Sequence, residues 1–224
     1  MQHAEKAISS VRQQSNRAIL FYSTGKDSIA LLDMIAKQFD EVVVVFMYFV
    51  KGMDHIERYL RDAQKRYPNI TIIQKPHWNL THVHRNGMYC IANPDIKLKT
   101  VKDIDAEVRI QTGIDWVFYG MKKADSLQRR IMLMGYEDET INSKTQKAYP
   151  LSRWKNGDVL RYIQYNNLPI PVQYGKKASN GVGFNLDFLL WARENEPNDL
   201  DIFLKEYPMA KVILWKYDNS KKTA

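Results

Sequence analysis

The chain has 224 residues, 45% of them hydrophobic, which is enough for one large α/β domain and excludes wholesale disorder. Its longest apolar run, VVVVFMYFV at residues 42–50, is too short to span a bilayer, and the polar N-terminal stretch lacks a signal-peptide core. The single cysteine, Cys90, excludes a disulfide framework or a multi-cysteine metal site, so a cytoplasmic protein with no membrane contact is the expectation, while a net charge of +8 fits either nucleic acid or a phosphate-rich small molecule.

Residues 3–15 should form an amphipathic helix and 18–22 a first strand. A helix is expected over 26–38, with Ile29, Leu32, Ile35 and Phe39 on one face. Residues 41–48 read as a β-branched strand buried on both faces, 53–66 as a charged helix and 70–74 as a third strand. This βαβαβ order predicts a parallel sheet with right-handed crossovers. A helix near 100–112 leads to a fourth strand at 116–120, a helix near 124–134 follows, and residues 148–150 end a short fifth strand. The helix over 157–169 should stop at Pro169. Further on, FNLDFLLWARENE and PNDLDIFLKEY look helical, and AKVILWKY fits either helix or strand. The expected fold is α/β: a doubly wound, mostly parallel five-stranded sheet with helices on both faces over residues 1–170, and a mainly helical extension over 171–224 packed on the same domain.

The first strand runs directly into Ser23-Thr24-Gly25-Lys26-Asp27-Ser28 and then into a helix. In an open parallel sheet, ligands sit at the carboxyl ends of the strands. A helix start leaves backbone N–H groups unpaired and carries partial positive charge, which suits an anion. Gly25 permits close backbone approach, Ser23, Thr24 and Ser28 offer hydroxyls, and Lys26 adds a point charge. The loop reads as a phosphate cradle. Its spacing matches neither a Walker A loop nor a dinucleotide fingerprint.

The loop resembles the pyrophosphate loop of the adenine nucleotide alpha hydrolase superfamily, usually Ser-Gly-Gly-x-Asp-Ser, with Thr24 in place of the first glycine. GMKKADSLQRR at 120–130 resembles the Gly-x-Arg-x-x-Glu-Ser-x-x-Arg segment of the phosphoadenosine phosphosulfate (PAPS) reductase family. Gly120, Ser126 and Arg129 match outright; Lys122 and Asp125 keep the charge of the family's arginine and glutamate. In YPLSRWKNGDVLRYIQYNNLPIPVQY at 149–174, Pro150, Trp154, Asp158, Val159, Tyr162, Ile163, Leu168, Pro169 and Tyr174 fall in place for the same family. Trp154, Val159, Tyr162 and Ile163 read as packing. Lys122 and Arg129 are the preferred site residues of the basic segment, and Lys123 and Arg130 read as a solvated face.

The resemblance implies a bound adenine nucleotide, ATP or PAPS. Ser23 to Ser28, Gly120 and Ser126 would bind it, with the adenine near Met47, Tyr48 and Phe49. Lys26, Asp27, Lys122 and Arg129 would serve the chemistry, and Asp27 is a candidate ligand, directly or through water, for Mg2+ bridging the phosphates. Family reductases carry a nucleophilic cysteine in a Glu-Cys-Gly-(Ile/Leu)-His tail, whereas this tail reads AKVILWKYDNSKKTA. Cys90 lies mid-chain and reads as structural. ATP cleavage between the α and β phosphates, adenylating an unidentified anionic acceptor, is therefore preferred over sulfonucleotide reduction or sulfur transfer. The family's Asp-Thr-Gly-x-x-Phe-Pro-Glu-Thr stretch after the second strand is replaced by YFVKGMDHIERY. His77, His82 and His84 lie in a segment read as a loop over the site, where His84 and Arg85 could meet an anion; as a metal cluster they lack a completing ligand. A protein partner, or a nucleic-acid-associated role resting on the charge and on Trp78 and Tyr89 as exposed aromatics, is the alternative from another class.

Overall fold

The computed structural model describes residues 2–172 and 185–220. Five of the βαβ-derived strands are parallel as expected, but the sheet has six strands rather than five. They are β1 (Arg17–Tyr22), β2 (Glu41–Tyr48), β3 (Ile70–Pro76), β4 (Val117–Tyr119), β5 (Ile141–Asn142) and β6 (Lys147–Ala148). Their spatial order is β3-β2-β1-β4-β6-β5, and only β5 runs antiparallel, against β6. β5 and β6 are two residues each, too short to leave an alternating pattern in the sequence.

Strand alternation divides the interior in two. Ala18, Leu20, Tyr22, Val42, Val44, Phe46 and Phe118 face a large core shared with α1 (Gln2–Arg12), α2 (Lys26–Ala36), α3 (Asp54–Arg66), α4 (Leu80–Asn86) and α7 (Asn156–Tyr165). Ile19, Phe21, Val43, Val45, Val117 and Tyr119 face a smaller core completed by Ile104 and Val108 of α5 (Val101–Thr112) and Leu133 of α6 (Leu127–Met134). Helices on both faces explain why β2 reads as an unbroken apolar run. In α1, buried Ala4, Ala7, Ile8 and Val11 follow helical spacing.

The described C-terminal part is α8 (Leu186–Asn195), α9 (Pro197–Glu206), a short 3-10 turn and α10 (Lys211–Ser220), so AKVILWKY lies mostly in a helix. Phe188, Leu189, Leu200, Phe203 and Tyr207 enter the large core. Asp199, buried, accepts from the Asp54 and His55 backbone N–H groups at 2.7 and 3.0 Å and meets His55 Nδ1 at 2.6 Å, capping α3 from a distant part of the chain. Tyr174, matched to the family in sequence, lies outside the described residues. Tyr162 does more than pack: its hydroxyl and that of Tyr67 both donate to buried Asp33, at 2.6 and 2.8 Å, joining α2, α7 and the end of α3. Among the described residues no helix is long and apolar enough to cross a membrane.

A second buried carboxylate ties α5 to the sheet. Asp105 Oδ1 meets Arg109 Nε at 2.6 Å, while Oδ2 meets Lys147 Nζ at 2.6 Å and accepts from the Tyr119 hydroxyl at 3.2 Å. Burial pushes the Asp105 carboxyl up, but the Lys147 and Arg109 contacts outweigh it and hold the group below the ordinary range. Removing one partner of such a pair strands the others without compensation. We expect Asp105→Ala to lower unfolding stability by about 3 kcal/mol, read as a shifted urea midpoint with unchanged slope.

Candidate functional site

The strand order reverses between β1 and β4: the chain leaves β1 toward β2 on one side, and β4 pairs on the other. At such a switch point the loops beyond the strand ends part and leave a crevice. A cleft of about 700 Å³ occupies it. Its walls include Ser23, Lys26, Asp27 and Ser28 from the loop after β1, Gly120, Met121, Ala124 and Asp125 from the loop after β4, and Arg129 from α6. Asn156, the first residue of α7, also lines it, so the starts of α2 and α7 both border the cleft.

The loop after β1 is held by its own hydroxyls. Ser28 Oγ donates to Gly25 O at 2.9 Å and accepts from Ser23 N at 3.1 Å. Thr24 Oγ1 donates to Ser23 O at 2.7 Å. The hydroxyls of Ser28 and Thr24 thus hold the turn, and both residues are buried, although Ser28 still borders the cleft. Exposed Ser23 keeps its hydroxyl at the cleft. The left-handed position of the turn is Thr24, at φ 56°, whereas Gly25 has φ −84° and caps α2. The strain of a β-branched residue with positive φ thus sits where the resembling family has a glycine.

Gly120 is where the two loops touch. A Cβ there would lie 3.3 Å from the Asp27 carbonyl carbon and 3.4 Å from Ser28 N. The absence of a side chain lets the end of β4 close against the first turn of α2.

Five charged groups then alternate in sign across the loops. Lys26 Nζ meets Asp27 Oδ2 at 2.8 Å; Lys122 Nζ meets Asp27 Oδ1 at 2.7 Å and Asp125 Oδ1 at 2.9 Å; Arg129 Nη1 meets Asp125 Oδ2 at 2.8 Å. Lys122 is 0% exposed, and between Asp27 and Asp125 its ammonium braces the two loops against each other. Its contacts are ion-pair distances without hydrogen-bond alignment. Burial raises the Asp125 carboxyl, but the Lys122 ammonium beside it, the Lys122 backbone N–H that donates to it at 2.9 Å and the Arg129 guanidinium outweigh burial and keep it below the ordinary range.

Asp27 does not fit the expected magnesium site. Both its oxygens are taken by ammonium groups, and Lys122 fills the space between Asp27 and Asp125 where a cation would sit. Among the described residues no group of three His, Cys, Asp or Glu could hold a metal. His77, His82 and His84 do not converge: the expected loop contains α4, and His84 turns toward Tyr207.

Other expected site residues are dispersed. Met47 lines the cleft, but Tyr48, one position on, points to the opposite face and lines a separate cavity with Leu80, Thr81 and His84. Phe49 stacks on His77 at 4.3 Å between ring centroids. Ser126 caps α6 by accepting from Arg129 N at 3.2 Å and is not part of the cleft lining. Lys123 pairs with Glu139, and Arg130 is exposed.

Phe21, His77, Trp78, Val101 and Tyr119 complete the wall and were not expected as nucleotide contacts. Phe21 and Tyr119 stack at 5.1 Å, and the column continues through Tyr149 to Tyr136. The signal for Phe21 and Tyr119 was available: each sits on the same strand face as Met47. Trp78 and Tyr89, expected as exposed, are half-buried, the first in this wall and the second against the large core. Cys90 also packs with the large core; its Sγ lies 3.7 Å from His84 Nδ1, and burial followed by the charge of Glu206 pushes the thiol up.

Two expectations follow from these buried groups. Lys122→Met should lower stability by about 3 kcal/mol in urea unfolding, because Asp27 and Asp125 lose the charge between them. His77 supplies a pH dependence: burial pushes its imidazole down to about 4. The unfolded chain takes up that proton near pH 6.5, so this contribution is complete above 6.5 and is lost as the pH falls toward 4. His77→Phe should flatten the fall in thermal midpoint across that window.

Comparison with known proteins adds the following. Two solved structures are similar to the chain: phosphoadenylyl-sulfate (PAPS) reductase from Candida auris in a phosphate complex, at 17% identity and a TM-score of 0.48, covering 75% of this chain and 81% of that one; and the U34-tRNA thiolase NcsA from Methanococcus maripaludis with its 4Fe–4S cluster, at 10% identity and a TM-score of 0.47, covering 92% and 77%. No curated protein matches by sequence. The family model of the phosphoadenosine phosphosulfate reductase domain matches residues 17–183, from the start of β1 past the end of α7. The chain belongs to the phosphoadenosine phosphosulfate reductase family.

Proposed function

We propose that the cleft binds ATP and breaks it between the α and β phosphates, transferring the adenylate to an anionic acceptor. The carrying observation is the anion cradle at the sheet's switch point, where Ser23, Lys26, Arg129 and the first turn of α2 face one cleft. An oxygen of the acceptor attacks the α-phosphorus, a new P–O bond forms, and pyrophosphate leaves with the electron pair of the broken bond. The chain contributes position and charge. First-turn amides and Ser23 bind phosphate oxygens, while Lys26 and Arg129 offset charge moving onto the leaving group. Asn156 and the apolar wall of Phe21, Met47 and Trp78 hold the rest of the nucleotide. Mg2+ would come on the phosphates, a common habit of this cation, because Asp27 has no free oxygen to offer it.

The position of Cys90 favours this reading over sulfonucleotide reduction. Its thiol packs on the other side of the sheet from the cleft and is biased toward the protonated form, whereas sulfonate transfer requires a thiolate beside the nucleotide.

Incubation with ATP, magnesium and candidate acceptors, read by anion-exchange chromatography, should give AMP or an adenylated acceptor together with pyrophosphate. ADP and orthophosphate as the main products would overturn the proposal. Lys26→Ala should cost about 1.5 kcal/mol in ATP affinity, roughly tenfold by calorimetry. Cys90→Ser should retain product formation within a few-fold. Consumption of PAPS with a thiol donor, abolished in a folded Cys90→Ser variant, would establish the reductase reading instead.

A further inference from the structure

The cleft contains one histidine whose orientation and tautomer are both fixed by the fold. His77 follows β3 directly, and its backbone N–H donates to Tyr48 O at 2.8 Å, extending the β2–β3 ladder by one residue. Its ring is held by the Phe49 stack and lies 5.4 Å from the Trp78 ring centroid. Asn79 N donates to His77 Nδ1 at 3.1 Å. A nitrogen that accepts cannot carry the proton, so in the neutral ring the proton is on Nε2. The ring borders the cleft, and Nε2 has no protein partner among the described residues.

We propose that His77 reads the nucleobase, its Nε2–H donating to a ring acceptor of the purine while Trp78 forms part of the wall against which the base lies. This rests on the nucleotide reading given above. A neutral imidazole adds no charge for phosphate, and the cleft's cationic groups are Lys26 and Arg129, on the loop after β1 and on α6. A rigid strand-end position with a single donor suits recognition of an uncharged edge. The residue is a specificity determinant, separate from the groups that hold the phosphates.

Calorimetry of wild type, His77→Phe and His77→Gln with ATP, pyrophosphate and the 1-, 3- and 7-deaza analogues of ATP tests this. Near-ultraviolet circular dichroism first establishes that the variants are folded. His77→Phe should bind ATP about tenfold more weakly and pyrophosphate unchanged, and His77→Gln, which keeps an N–H donor, should recover part of the loss. One deaza analogue should lose about tenfold on wild type and nothing on His77→Phe. Equal weakening of ATP and pyrophosphate, or identical analogue profiles in wild type and His77→Phe, would overturn the assignment. If wild type and both variants bind ATP equally, this inference alone fails; if wild type binds pyrophosphate but not ATP, the nucleotide reading fails with it.

Discussion

A single buried ammonium holds the candidate site in shape. Lys122 is fully buried, and a lone charge in that position would be intolerable. It is tolerated because Asp27, from the loop after β1, and Asp125, from the loop after β4, approach it from two sides. Both loops must be in place for the charge to be compensated, so folding one constrains the other. The flanking Lys26 and Arg129 extend the alternation, leaving three cations against two carboxylates. The surplus positive charge sits beside the cleft, where an arriving anion would meet it.

The apolar half of the site is built by different means. Phe21 and Tyr119 come from neighbouring strands of one register, Phe21 opposite Tyr119 across the β1–β4 ladder. Their stack continues through Tyr149, and the Tyr119 hydroxyl is anchored on Asp105. Burial, reinforced by that carboxylate, pushes the Tyr119 phenol up, so it remains a donor to Asp105. The wall of the cleft and the docking of α5 thus depend on the same buried hydrogen bond and ion pairs.

The parts of this arrangement that were legible in the sequence are those with a local signature. An apolar strand followed by small hydroxyls, glycine and lysine identified the loop at 23–28, and the helical spacing in α2 and the unbroken β-branched run of β2 located those elements closely. What was hidden depends on partners far away in the chain. Nothing local marks Lys122 as buried rather than solvated, since Asp27 lies nearly a hundred residues upstream. The seven residues of α4, His82 and His84 among them, have too little apolar periodicity to reveal a helix, which buries only Leu80 and Val83. That Ser28 and Thr24 also bond within the turn is visible only once the loop is folded. Tyr48 was grouped with Met47 by proximity in sequence, although a strand sends neighbours to opposite faces.

That last alternation restricts how this chain can change length. Met47 borders the cleft, Tyr48 borders the cavity behind it, and both are fixed by pairing with β3 at Lys75 and Pro76. A one-residue slip of β2 against β3 would exchange the two walls, putting a phenol where the thioether stands and turning every core valine of the strand to the opposite face, and an insertion or deletion inside β2 would impose that exchange on the residues to one side of it. Length variation is therefore confined to the connection after Tyr48, where Lys51 and Gly52 are exposed and Gly52 has open space around it. The strand that shapes the cleft cannot drift by single residues, whereas the turn beside it can.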